Sequence, residues 1–337
     1  MNRFLDTRVM GAIGGMLLLG LAACTQAPSD DAQTTLFRKH PADSTGIQFV
    51  NRLAESADLN ILNYLYYYNG GGVAVGDVNG DGRPDLYFTA NEGDNALYLN
   101  RGNFQFEDVT AAAGVGGTGD WTTGVSMADV NGDGRLDLYV SVVSEFEGLS
   151  GHNQLYLNQG TDDDGVPTFT EEAAAYGLDH RGFSTQATFF DYDLDGDLDV
   201  YLLNHAVHST KTYGRTSLRR ERDPRSGDKL YENRGGTFVD VSESAGVIGG
   251  AVGYGLGVVV SDVDTDGCPD LYVANDFHEN DYLYLNNCDG TFDERIQTAT
   301  GHVSHSSMGV DAADYNNDGR PDVAVLDMLP FTEQALK

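Results

Sequence analysis

Asp77-Val78-Asn79-Gly80-Asp81-Gly82-Arg83-Pro84-Asp85 is written five times with variations, starting at Asp77, Asp129, Asp191, Asp262 and Asp314. The copies share Asp at the first position, Asn or Asp at the third (Asn79, Asn131, Asp193, Asp264, Asn316), Asp at the fifth (Asp81, Asp133, Asp195, Asp266, Asp318), Gly at the sixth, and Asp at the ninth (Asp85, Asp137, Asp199, Asp270, Asp322). Oxygen donors at alternate positions of a tight loop suit a hard dication. Calcium takes about six to eight oxygens, and the glycine lets the chain turn through φ > 0 so that the first, third and fifth side chains meet. The seventh position (Arg83, Arg135, Asp197, Cys268, Arg320) shares no side-chain chemistry, which points to its backbone carbonyl as a ligand. An EF-hand needs Glu at position twelve, where these loops hold Phe88, Val140, Leu202, Val273 and Val325; that motif is excluded. Five acidic turns without metal would leave stacked carboxylates repelling one another, so about five calcium sites are the expectation.

After each ninth-position Asp the text turns to strand composition, Asp85-Leu86-Tyr87-Phe88 being the first example. A second strand pair follows: Ala96–Asn100 then Phe104–Thr110 in the first repeat, with Leu155–Asn158, Lys229–Asn233 and Tyr282–Asn286 as later counterparts of the third strand. Loop starts are separated by 52, 62, 71 and 52 residues, the period of a four-stranded unit with insertions, and helices are expected to be essentially absent. Such a sheet cannot bury both faces alone, so the units should stand radially as the blades of an all-β propeller with each first strand innermost. Four complete blades and part of a fifth fit between residues 36 and 337. Leu36–Phe49 reads as a repeat's last strand without its beginning. The text ends at Lys337 after the first hairpin of repeat five, from which a fragment or an irregularly closed small ring is expected.

The pattern Asp-x-Asn-x-Asp-Gly-x-x-Asp-Leu-Tyr, with Leu-Tyr-x-Asn and Phe-x-Asp-Val-Thr-x-x-Ala-Gly-Val after it, resembles the FG-GAP/VCBS repeat of integrin-α-like propellers. Tyr68–Val73, Ser307–Asp311 and Leu326–Pro330 resemble more closely the bacterial lipoproteins of the ASPIC/UnbV group, the cartilage acidic protein-like family. That resemblance implies a longer propeller followed by an ASPIC/UnbV module, neither of which this text contains.

Residues 1–23 have the form of a signal peptide: Arg3 and Arg8, then an apolar run from Val9 to Ala23 too short to span a bilayer comfortably. Leu21-Ala22-Ala23-Cys24 resembles the lipobox of bacterial lipoproteins, which makes Cys24 the lipidated residue, and Thr25 after it implies the outer membrane of a Gram-negative bacterium, facing periplasm or cell surface. Residues 24–35 then read as the lipidated end and a polar tether. The other cysteines, Cys268 and Cys288, should approach each other if strands alternate up and down. Either they form a disulfide closing a loop of about twenty residues or they are two buried thiols.

Formal net charge is −32, and 18 of the 52 acidic residues lie in the five loops, so even five bound dications leave the surface strongly acidic and argue against nucleic acid as partner. With every loop carboxylate used in coordination, the loops are structural rather than catalytic. The opposite face, where second strands end, gathers Asn91, Asn204, His205, Asn275, Asp276 and Asp327, either a ligand face for sugar or peptide or ordinary turn chemistry. Residues 205–227 hold six basic residues, Lys211, Arg215, Arg219, Arg220, Arg222 and Arg225, read as an insertion that pairs with its own acidic surface or as an anionic-ligand loop. His302 and His305 read as satisfied loop histidines, Trp121 and the tyrosines Tyr64, Tyr66, Tyr67 and Tyr68 as packing, with a sugar-stacking shelf as the alternative for the tyrosines. No hydrolase, zinc-protease or P-loop motif is present. The expectation is therefore a non-enzymatic recognition, adhesion or scaffold module for an envelope protein or glycan. A polysaccharide lyase working through His205, His208 and the arginines, or a lectin, are the alternatives.

Overall fold

The computed structural model describes residues 37–207 and 216–328. A first unit runs to His40, and its described residues 37–40 carry no helix or strand; a second, from Pro41 onward, holds every element below. The stretches expected to be signal peptide and tether, with Cys24, and His208, Lys211 and Arg215 lie outside the described residues. Among those described, no helix is long and apolar enough to cross a membrane.

Four antiparallel meanders of four strands form the blades. Blade one is Val73–Gly76, Asp85–Phe88, Ala96–Asn100 and Phe106–Asp108 (β1–β4), and blade two Trp121–Ala128, Asp137–Val143, Gln154–Thr161 and Pro167–Glu171 (β5–β8). Blade three is Ser184–Phe190, Asp199–Asn204, Lys229–Asn233 and Phe238–Asp240 (β9–β12), and blade four Gly255–Ser261, Asp270–Asn275, Tyr282–Asn286 and Phe292–Glu294 (β13–β16). Ser307–Ala313 and Asp322–Asp327 (β17, β18) make a fifth, two-stranded sheet in which, among the described residues, β18 has no third-strand neighbour and Leu326 is exposed. The five first strands lie side by side in chain order. Side chains stitch them together: Thr123 Oγ1 donates to Ser184 O at 2.7 Å and Thr185 Oγ1 to Gly255 O at 3.1 Å.

The cores lie between blades, which is why the second strands read as unbroken apolar runs rather than alternating ones; β6, β10 and β14 are buried along their whole lengths. Leu97, Leu99, Leu138 and Val140 fill the space between blades one and two; Leu155, Ala187, Val200 and Leu202 fill that between two and three; Leu203, Leu230, Leu271 and Val273 fill that between three and four. The tyrosine of each Leu-Tyr pair stands in this layer and sends its hydroxyl to a fixed acceptor. Tyr87 donates to Val115 O, Tyr139 to Leu178 O, Tyr201 to Asp228 and Tyr272 to Asp281, at 2.7–3.0 Å.

Among the described residues α-helices are limited to single turns: Thr110–Ala113, Ala173–Tyr176 and Ile296–Ala299 follow three of the fourth strands, each four residues long. One expectation needs correction. Leu36–Phe49, expected to be a strand, has in its described residues, 37–49, the helical turn Ala42–Thr45 and otherwise irregular chain. It nevertheless occupies a repeat's tail position. Three tails end on a glycine pressed against the carbonyl of the next blade's fourth-strand Phe: a Cβ on Gly46 would come 2.4 Å from Phe106 O, on Gly177 2.7 Å from Phe238 O and on Gly246 2.6 Å from Phe292 O. Only glycine fits there, with φ near +80°.

Candidate metal loops and the axial cavity

Each repeated loop joins a first strand to a second at one rim and is held by the same backbone ladder. The first-position carboxylate accepts the N–H groups of the fifth and sixth residues. Asp129 takes Asp133 N at 2.9 Å and Gly134 N at 2.8 Å, and Asp77, Asp191, Asp262 and Asp314 repeat the pattern. The fifth-position carboxylate accepts the seventh N–H in all five loops. The third residue, Asn79, Asn131 or Asp193, also accepts the fifth N–H.

The ninth Asp is the buried post. Asp85, Asp137, Asp199 and Asp270 each accept the second residue's N–H with one oxygen and the N–H of a third-strand Asn (Asn100, Asn158, Asn233, Asn286) with the other, all at 2.8–3.0 Å. Burial, with added repulsion from neighbouring loop carboxylates, raises their pKa values, to about 6 for Asp137 and about 7 for Asp199. A dication would relieve that repulsion, and the donor set, all hard oxygens, fits one.

The loops differ in how far they need it. In loops one and two the seventh-position arginine supplies a local cation, Arg83 pairing with Asp81 at 2.5 Å and Arg135 with Asp133, and each sends Nε to the third strand's Asn carbonyl at 2.8 Å. Loop four makes the same cross-link covalently, through Cys268 bonded to Cys288 with Cα atoms 5.8 Å apart. Loop three has Asp197 there instead, with no countercharge and one carboxylate oxygen buried without a hydrogen-bond partner. Oxygens of Asp191, Asp193 and Asp199 lie within 4.8 Å of one another, as do those of Asp262, Asp264 and Asp270. In loop five Asn316 and Asp322 approach at 3.4 Å, and Arg320 makes no ion pair among the described residues.

On the opposite face the residues singled out from the sequence are mostly locks. Asn91 bonds Asn51, Gly70 O and Thr122 O; Asn204 bonds Asp228, Gly227 O and Ser184; Asn275 bonds Tyr254 N, Asp281 and Asn280 O. Asp276 is buried and accepts the Phe277 N–H, whereas Asp327 is exposed and collects Ser304, His305 and Ser306. His205 is different in kind. Fully packed among Tyr64, Tyr66 and Phe183, it meets Tyr64 Oη at Nε2 (3.1 Å) and Thr185 Oγ1 at Nδ1 (3.2 Å), and burial pushes its pKa down to about 3. Tyr64, Tyr66, Tyr67 and Trp121 are buried with it, while Tyr68 is 59% exposed. Tyr64, Tyr66, Trp121 and His205 border a cavity of about 390 Å3 where the first strands converge. In the arginine segment, Arg219 pairs with buried Glu279 at 2.6 Å, Arg222 donates to Val247 O and Arg225 lies over Phe183.

One set of functional positions escaped the sequence reading: Asn95, Asn153, Asp228 and Asp281, just before each third strand, which hold the second strand's far end. The recurrent Asn/Asp two residues ahead of Leu-Tyr was the available signal. Asp228 is buried, and burial raises its pKa to about 7. A carboxyl whose folded pKa is raised contributes stability below its unfolded value near 4, and that contribution is lost as pH rises to about 7. Asp228→Asn, which copies blades one and two, should therefore raise the unfolding midpoint by a few degrees at pH 8 and leave it unchanged near pH 4. Midpoints measured across this range decide it, and an equal shift at both ends would discard the assignment.

Residues 77–140 and 262–325 match the FG-GAP-like repeat. Cartilage acidic protein 1 of Homo sapiens is 31% identical over 212 residues, 62% of this chain and 28% of that protein; its Xenopus tropicalis counterpart is 28% identical over 239 residues, 69% and 32%. The chain thus spans about a third or less of these curated relatives. Among solved structures, an Agrocybe aegerita lectin that recognises non-reducing terminal N-acetylglucosamine superposes with a TM-score of 0.39 at 19% identity, over 74% of this chain and 59% of the lectin.

Proposed function

From a chain that carries FG-GAP-like repeats and belongs with cartilage acidic protein 1 in the ASPIC/UnbV family, we propose a calcium-stiffened recognition module that holds a protein or glycan at the bacterial outer envelope, tethered through Cys24. The observation that carries this reading is the division of labour between the two rims. One rim is given over to carboxylates locked by backbone N–H groups; the other holds a cavity without a charged side chain in its lining. The first arrangement suits a structural cation and the second suits selective contact.

An acid–base role finds little support in the same geometry. His205 has both ring nitrogens engaged and stays neutral, Arg219 is neutralised by Glu279, and nothing in the cavity lining would offset a uronate's charge. The test couples the purified protein to beads and exposes it to outer-envelope extract and to a glycan array, with calcium or with chelator. Calcium-dependent retention of a discrete protein or glycan is expected. A rise in ultraviolet absorbance from unsaturated products on a uronate polymer would replace the reading with a lyase, and no retention in calcium would remove it.

A further inference from the structure

The five first strands carry a repeating position, five residues ahead of each loop, occupied by Gly72, Gly124, Gln186, Gly257 and Gly309. Glycine is required where neighbouring strands touch: a Cβ on Gly72 would lie 2.8 Å from Thr123 O and one on Gly124 2.4 Å from Thr185 O. Blade three alone places a side chain at this level, and that side chain lines the axial cavity. The Gln186 amide makes no hydrogen bond among the described residues, and neither does the side-chain amide of Asn69, which lines the same cavity. Two unengaged amides therefore face a space of about 390 Å3 whose other walls include Tyr66, Trp121, Leu256 and Met308.

The chemistry of the occupant follows. No Asp, Glu, Lys or Arg borders the cavity, and the acidic protein around it disfavours an anion. The neighbouring backbone is already used, Gly72 N bonding Thr123 O at 2.7 Å, so an added peptide strand would find no edge there. What remains on offer is amide donors and acceptors beside apolar and aromatic surface. A neutral sugar ring matches it, with hydroxyls that both donate and accept and a C–H face that packs on apolar groups. We propose that the axial cavity is a binding site for a neutral pyranose unit of a glycan, with the Gln186 and Asn69 amides as its polar contacts. This deepens the recognition reading above and rests on it.

The test uses the methyl glycosides of glucose, mannose and galactose as neutral probes and methyl glucuronoside as the charged one, by saturation-transfer NMR and calorimetry in calcium. At least one neutral probe should bind, the glucuronoside roughly tenfold or more weaker, and Gln186→Gly should weaken the neutral probe by a similar factor. Gln186→Gly restores the residue of the other four blades, so an unchanged unfolding midpoint is expected and separates lost binding from lost folding. Gln186→Glu, which keeps the shape and adds charge, should also weaken it. The site is overturned if no neutral probe binds, if the glucuronoside binds as well, or if Gln186→Gly binds as the native protein does. If in those cases the beads still retain a calcium-dependent partner, the recognition reading stands and only the axial site falls; if they retain nothing, both fall.

Discussion

Calcium at about 10 mM is expected to raise the unfolding midpoint of the purified protein by on the order of 10 °C over the chelated protein, and magnesium at equal ionic strength to raise it far less. Extracellular calcium modules bind with affinities of about 10⁻⁴–10⁻³ M, so this concentration stabilises each occupied site by about 1.4–2.7 kcal/mol. Loops three and four, which gather carboxylates within 4.8 Å of each other, would supply roughly 3–5 kcal/mol between them, at roughly 2–4 °C per kcal/mol. Magnesium gives up its water reluctantly and demands an octahedral cage, which a loop of this kind does not impose. The loops also predict a sign change. Asp195→Asn keeps the oxygen that accepts Asp197 N while removing one of five charges from a loop with no countercharge, so it should raise the midpoint in chelator and lower it in calcium. Asp133→Asn should do less on both counts, because Arg135 already pairs with Asp133. A midpoint that ignores calcium, or an Asp195→Asn variant that moves it the same way in both conditions, would remove calcium from the account.

The repeat itself was legible because its demands are local. Spaced carboxylates, a sixth-position glycine with φ between 80 and 99°, and a Leu-Tyr strand start are fixed within a dozen residues, and the structure places all five loops on strand-to-strand turns. So was the meeting of Cys268 and Cys288, since an up-and-down meander brings the end of a third strand back beside the loop. What was not legible depends on packing between blades. The second-strand Asn and Asp residues could be read as a ligand face or as turn chemistry, because polar groups at strand ends are ambiguous in sequence; only the fold shows Asn91, Asn204 and Asn275 spending their amides on neighbouring backbone. Gln186 is the reverse case. Inside a strand of Thr and Ala it reads as unremarkable, and it acquires meaning only when four glycines stand at the same level of the ring.

Asn158→Ala is expected to cost about 3–5 kcal/mol, several times the cost of Asn100→Ala, although both residues end a third strand and both answer a ninth-position Asp. Asn100 gives its side chain to Pro84 O and Gly102 N within its own blade, near solvent, where a lost hydrogen bond costs about 1 kcal/mol. Asn158 is fully buried, and its amide reaches Val78 O in the preceding blade at 2.8 Å as well as Leu136 O at 3.1 Å, while its oxygen takes Gly160 N. Alanine would strand several of these groups away from water, at about 1–3 kcal/mol each. Asn286, which bonds Tyr192 O at 2.7 Å across the next-but-one interface, should behave like Asn158, and Asn233, whose side chain bonds Leu198 O and Gly236 N within its own blade, like Asn100. Urea unfolding at fixed calcium measures the order, and equal costs at all four positions would show that the contacts between blades add nothing. The contrast also bears on the metal. Val78 gives its N–H to Asp85 and its carbonyl accepts from Asn158, so Val78 fastens loop one to blade two, with a second, longer tie from Asn79 Nδ2 to Gly165 O at 3.3 Å. Calcium held in loop one should therefore stiffen both blades in the native protein and blade two less in Asn158→Ala, which keeps only the Asn79 tie, so its calcium-dependent rise in midpoint should be smaller.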